Sequence, residues 1–288
     1  MIPAISNRLD YPCLQTHSYL NQASLGLIGE ASVSAMHEFL EETARHGNLK
    51  MSDKEEAAFL DPLRSRIGKL INANKDNIAV VASASEILSQ LPYLISPPSG
   101  TKVIFVSTDF PAITRPWISY SEKNQCEVCF VEENEDQSLV DKIIQELDEN
   151  TSAVCVSYVQ FSSGTRLNIE KLRAATNSYG TKLVVDITQA AGAVPISVRD
   201  WNADIVVCSG YKWLGGHGGI AFASFSDQLL AKQPICIGWF GGHNPFDMDA
   251  TRLTLSKTAA KYTQSTISYI SVVSLNESLD ALLKIGID

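Results

Sequence analysis

Seven short apolar runs, each separated from the next by polar or helix-patterned sequence, constrain this 288-residue chain more than any other feature. They are Ile78 to Val81, Val103 to Val106, Glu127 to Val131, Ala153 to Val159, Leu183 to Asp186, Ile205 to Cys208 and Ile220 to Ala223. Runs of this length, rich in valine and isoleucine, are what a strand buried on both faces requires. Helical periods fall between several of them: Ser85 to Leu94, Ser138 to Leu147 with Leu139, Ile143, Ile144 and Leu147 on one face, and Ile169 to Tyr179. Two amphipathic helices are predicted ahead of the strands, Val33 to Arg45 and Phe59 to Ile71, the second turning Leu63, Ile67, Leu70 and Ile71 inward. A last helix, Ser268 to Ile285, carries Ile270, Val273, Leu275, Leu279, Leu282 and Leu283. The order predicts an α/β fold: a mainly parallel seven-stranded sheet with helices on both faces and an N-terminal helical segment. No repeat, low-complexity tract or Pro/Gly linker marks an internal domain boundary.

Charge and cysteine usage narrow the partners. With 23 basic against 32 acidic residues the formal charge is -9, which disfavours nucleic acid while leaving room for a local phosphate pocket. Met1 to Cys13 lacks the basic and apolar regions of a signal peptide, and no stretch stays apolar long enough to cross a bilayer, so a cytoplasmic protein with no membrane partner is expected. The six cysteines lie mostly inside apolar runs, as small buried hydrophobes do. Cys126 and Cys129 form a CxxC, but positions three apart on a strand face opposite ways, which argues against a shared metal. The five histidines show no ligand spacing, and no metal site is expected.

Chemistry concentrates where strands end, which is where open parallel sheets bind ligands. Asp186 closes Lys182-Leu183-Val184-Val185-Asp186, with Gln189 three residues later, and Lys212 follows the strand that ends near Cys208. A lysine and a carboxylate so placed are what pyridoxal 5'-phosphate chemistry needs, one amine to hold the cofactor and one acid to keep its ring nitrogen protonated. The small residues Ala82-Ser83-Ala84-Ser85 open a helix after the first strand and could offer N–H groups and a hydroxyl to a phosphate, although Ser85 alone reads as an ordinary N-cap. Phe110, in Asp109-Phe110-Pro111, reads alone as core or as a platform for a flat ring. Asp186 alone reads as the cap of a following helix.

Taken together, Val184-Val185-Asp186-Ile187-Thr188-Gln189-Ala190-Ala191-Gly192 and Ser209-Gly210-Tyr211-Lys212-Trp213-Leu214-Gly215 resemble the class V aminotransferases, fold-type I pyridoxal phosphate enzymes. The resemblance runs from an opening motif, Tyr19-Leu20-Asn21-Gln22-Ala23-Ser24-Leu25-Gly26, to Tyr262-Thr263-Gln264-Ser265-Thr266 and the helix after it. It implies that Lys212 is the Schiff-base lysine, Asp186 the partner of the ring nitrogen and Gln189 the ligand of the phenolic oxygen. It also implies a phosphate cradle at Ser83, Ala84 and Ser85, hydroxyls from Ser209 and Tyr211, and Phe110 stacked on the ring. Thr266 matches a threonine that reaches the neighbouring subunit's phosphate, and Trp239, in Trp239-Phe240-Gly241-Gly242, a tryptophan near the phosphate at a dimer interface. A homodimer with a shared active site follows from that reading. The Asp109 to Trp117 stretch is nearer the kynureninase, isopenicillin N epimerase and C–S lyase branch than the cysteine desulfurases.

The resemblance implies a large domain over 1–288, divided as an N-terminal segment to 50, a cofactor-binding core from 51 to 265 and a helix from 266. Little or no C-terminal small domain is expected, whether by truncation or natural loss. That lobe supplies the family's carboxylate-binding arginine; Arg115 and Arg252 are the alternatives within the chain, and both read better as surface or ion-pair residues. The implied activity is that of an aminotransferase or C–S/β-lyase acting on a small-molecule amino acid or amine through an external aldimine and an α-carbanion. An epimerase of the same fold and a catalytically silent pyridoxal phosphate binder are the alternatives.

Overall fold

The computed structural model describes residues 7–134 and 137–287, so the first six residues of the opening stretch lie outside it. All seven expected strands form one sheet, in the order β1-β7-β6-β5-β4-β2-β3. They are β1 (Ile78–Val81), β2 (Thr101–Val106), β3 (Cys126–Val131), β4 (Thr151–Ser157), β5 (Lys182–Asp186), β6 (Ile205–Ser209) and β7 (Ala221–Phe225). Strands β2 to β6 pair in parallel, and β7 runs antiparallel between β6 and β1. The chain leaves β2 for the edge strand β3 and then returns to β2's other side as β4, so the loops after β2 and β4 part company there. This reversal opens a crevice at the carboxyl ends of the strands.

Helices cover both faces, as the alternating sequence predicts. Leu63 and Ile67 of helix Asp61–Leu70, Ile143, Leu172, and Leu275 and Leu279 of helix Tyr269–Ile285 pack on one face with Ile104, Val154 and Val206. Ile87, Leu91, Ile113 and Trp117 pack on the other with Val103, Phe105 and Val207. Each such fully buried aliphatic side chain contributes about 1.5–3 kcal/mol by leaving water. Cys126 belongs to the second face and Cys129 packs against the first, so this CxxC is divided by the sheet.

Local structure departs from expectation where proline intervenes. The expected helix from Phe59 to Ile71 begins at Asp61, with Pro62 in its first turn, and a separate helix, Asp53–Ala58, precedes it. The expected helix from Ser85 to Leu94 is two short ones, Ala84–Leu88 and Leu91–Ile95, restarted by Pro92. A helix the sequence reading omitted, Pro111–Ser121, starts on one proline and contains another, Pro116. In the last helix the buried face carries Ser271, Val272, Ser274, Leu275 and Leu279 rather than Ile270 and Val273. The serines are satisfied: Ser271 donates to the Gly218 carbonyl at 2.7 Å, and Ser274 Oγ accepts from the His217 N–H at 3.2 Å. This helix therefore backs the turn that follows Lys212.

Candidate active site

β5 delivers Asp186 to the crevice, 6% exposed, in register with Ser157 at the end of β4. The Thr188 N–H donates to Asp186 Oδ1 at 2.7 Å, and Thr188 Oγ1 accepts from the Ser209 N–H at 3.0 Å, tying the ends of β5 and β6 together. Burial pushes the Asp186 carboxyl up to about 6; the Thr188 hydrogen bonds and the Lys212 charge act against burial, and the Asp109 charge adds to it.

β6 delivers Lys212 through a turn fixed by backbone hydrogen bonds from Gly215 to the Lys212 carbonyl and from Gly216 to the Gly210 carbonyl, each 3.0 Å. Lys212 is 9% exposed, and burial pulls its amine below the ordinary lysine range, opposed by the Asp186 charge. The opening motif, quoted in the sequence for its pattern alone, secures this turn. Gly26 donates its N–H to the Tyr211 carbonyl at 2.8 Å. A Cβ on Gly26 would stand 1.8 Å from the Lys212 carbonyl oxygen, so only glycine passes there.

The Lys212 amine stands 5.4 Å from the centre of the Phe110 ring. Phe110 meets Phe161 edge to face at 5.5 Å and 84°, so two aromatic rings form one wall of the crevice. Opposite chemistry comes from the turn after β1. Ser83, not Ser85, caps the helix Ala84–Leu88, its hydroxyl accepting from the Glu86 N–H at 3.2 Å. Ser85 is thereby left with its hydroxyl outside the capping role. Gln189 is held by its neighbours: its amide accepts from the Trp213 indole at 2.8 Å and donates to the Ala23 carbonyl at 3.0 Å.

One cavity gathers Ser83, Ala84, Ser85, Phe110, Asp186, Gln189, Ser209, Tyr211 and Lys212, nine of the residues singled out in the sequence. Ala112, Ser157, Phe161 and Thr188 complete its lining and were missed. Trp239 and Thr266 do not reach it. Trp239, 45% exposed, lines a roomier cavity under the 242–254 loop, and Thr266 borders a cleft with Phe59 and Tyr269. Arg115 is exposed on its helix, Arg252 pairs with Asp249 at 3.4 Å, and neither is among the residues lining the Lys212 cavity. Asp109, also missed, lies buried next to Phe110 and accepts its N–H at 2.7 Å.

Lys212 and Asp186 thus line one cavity, each largely buried, with an aromatic wall and the hydroxyls of Ser85, Ser209 and Tyr211 around them. The sequence profile of the aminotransferase class-V family matches residues 18–288, and the chain belongs to that family of pyridoxal phosphate enzymes. It is 26% identical over 278 residues to an uncharacterized aminotransferase, YcbU, of Bacillus subtilis (strain 168), covering 96% of this chain and 72% of that one. It is 27% identical over 297 residues to the kynureninase of Debaryomyces hansenii, covering 93% of this chain and 64% of the relative's length. Among solved structures it is similar in fold to the cystine C–S lyase C-DES bound to cysteine persulfide, with a TM-score of 0.88 at 16% identity, covering 96% of this chain and 74% of that one.

Proposed function

We propose that this chain is a pyridoxal phosphate-dependent enzyme, of aminotransferase or C–S/β-lyase type, acting on an amino acid or amine. The observation that carries the reading is the convergence of Lys212 and Asp186 on one buried cavity beside Phe110. Bound there, pyridoxal phosphate supplies an aldehyde that captures an amine and a ring that accepts electrons from the substrate's α-carbon.

The chain's own residues do the rest. Lys212 would hold the cofactor through Nζ, and the free Nζ would take and return the substrate's α-proton; burial, which favours the neutral amine, suits it to both tasks. Asp186 keeps the proton on the ring nitrogen: a buried carboxylate without a hard counter-charge gains most from a cationic partner. Gln189 retains an amide N–H for the phenolic oxygen while Trp213 and Ala23 fix its plane. Ser83, Ala84 and Ser85 offer first-turn N–H groups and hydroxyls to the phosphate, with Ser209 and Tyr211 lining the same cavity. Phe110 supports the ring face and keeps water from Lys212. Trp239 and Thr266, exposed and outside this cavity, suit a homodimer in which they serve the partner's site. No described helix is long and apolar enough to cross a membrane.

Chiral chromatography coupled to mass spectrometry of products from a panel of amino acids, with and without a keto-acid acceptor, tests the activity. Amino transfer or β-elimination by the cofactor-loaded chain is expected; α-carbon inversion alone, or no product beyond the cofactor-only blank, contradicts it.

A further inference from the structure

Asp109 is a buried carboxylate, 6% exposed, that is not among the residues lining the Lys212 cavity and forms no salt bridge among the described residues. Its hydrogen bonds all come toward it. Oδ1 accepts from the Phe110 N–H at 2.7 Å and the Ser157 hydroxyl at 2.6 Å; Oδ2 accepts from the Ser157 N–H at 2.7 Å and the Gln160 amide at 3.3 Å. It does not cap the helix that follows, whose N-cap is Phe110 with no side-chain bond. The donors instead belong to both sides of the crevice where the loops after β2 and β4 diverge.

The two residues that flank this cluster in sequence are the two rings of the aromatic wall. Phe110 follows Asp109, and Phe161 follows Gln160. Gln160 is 1% exposed and donates also to the Ser157 carbonyl at 3.1 Å, while its own Oε1 is buried without a partner. A buried amide with an unsatisfied oxygen costs about 1–3 kcal/mol, so the donations by its nitrogen must outweigh that cost. A leucine would fill the same space without it. The amide is thus kept for what it holds.

We propose that Asp109 and Gln160 form a positioning clasp across the crevice, which sets the Phe110–Phe161 wall against Lys212 and so fixes the ring of the bound cofactor. The inference rests on the pyridoxal phosphate reading, since the wall matters through the ring it supports. A carboxylate is suited to the task because it accepts from four donors at once, and an amide or hydroxyl at position 109 cannot.

The test compares wild type, Asp109→Asn, Gln160→Leu, Phe161→Ala and the double variant Gln160→Leu/Phe161→Ala. Pyridoxal phosphate affinity and visible circular dichroism per bound cofactor are measured, with hydrogen exchange of segments 107–113 and 157–165 in the cofactor-free chain. Both clasp variants should bind about tenfold more weakly, the loss of one hydrogen bond to a charged group. At matched occupancy they should lose most of the induced dichroism, and exchange in the two segments should quicken about tenfold while β5 and β6 stay protected. Gln160→Leu should add less once Phe161 is alanine, since only Phe110 is then left for the clasp to position. If Asp109→Asn fails to fold, Gln160→Leu carries the test. Wild-type affinity, dichroism and protection in Gln160→Leu overturn the clasp, as does an equal loss in the Phe161→Ala background. A wild type that takes up no pyridoxal phosphate overturns the functional reading instead, and the exchange arm still decides whether the clasp orders the wall.

Discussion

Asp186 and Asp204 are two buried aspartates at opposite ends of the same pair of strands, and they are treated in opposite ways. Asp204, 2% exposed at the amino end of β6, is neutralised within the fold by Arg173 at 2.8 Å and Lys182 at 3.1 Å, and it accepts the Leu183 N–H at 3.0 Å. Asp186, 6% exposed at the carboxyl end of β5, has no salt-bridge partner among the described residues and keeps a carboxyl raised to about 6 by burial. One end of the sheet closes its electrostatics with its own side chains. The other leaves a buried carboxylate and a buried amine on one cavity, the arrangement proposed above to receive pyridoxal phosphate. The difference teaches where a buried charge means architecture and where it means chemistry.

The largest effect that can break this contrast is at Lys212. Lys212→Ala should abolish the cofactor's protein-bound absorption while leaving the melting temperature of the cofactor-free chain near wild type; retained absorption would remove Lys212 from its role. Next comes Asp204→Ala, which strands Arg173 and Lys182 and should cost about 3 kcal/mol or more in denaturant unfolding, with cofactor uptake by the folded protein intact. If it unfolds nothing but weakens the cofactor, the two ends are not separable.

Asp186→Asn should act with the opposite sign on stability. A folded carboxyl raised from 3.8 to about 6 holds its proton where the unfolded chain has lost it, so its contribution is fully present below about pH 4 and lost as pH rises through about 6. The loss approaches about 3 kcal/mol above that window. Cofactor-free Asp186→Asn should therefore be more stable than wild type at pH 7 by up to about 3 kcal/mol, with the difference vanishing toward pH 4, while turnover is largely lost. A variant less stable than wild type across the range would show that Asp186, like Asp204, is structural. The smallest effect is expected at Phe110→Ala, about 1.5 kcal/mol in cofactor affinity, read by equilibrium titration.

The sheet was legible because most of its strands write themselves as short apolar runs rich in valine and isoleucine, and the Ile78 to Val81 and Ile169 to Tyr179 boundaries match the structure. Helix Pro111–Ser121 was not, since Pro111 and Pro116 read as breakers; at N1 a proline's missing N–H has no partner to lose, and burial of Ile113, Trp117 and Tyr120 holds the rest. Most of the site was legible from residues that touch the cavity. Asp109 was not, because its partners Ser157 and Gln160 lie 48 and 51 residues away and no local pattern announces them. Gly26 was quoted as part of a motif, but its contact with Lys212 appears only when the chain is folded. Trp239 and Thr266, named from resemblance, stand outside the cavity of their own chain, where only an assembly could give them a role in it.

The most direct test of the account is to load the protein with pyridoxal phosphate, reduce it with borohydride, digest it and locate the pyridoxyl group by mass spectrometry. The account predicts near-stoichiometric label on the peptide containing Lys212 and on no other lysine. Label spread over surface lysines, or confined to another one such as Lys261, would contradict it.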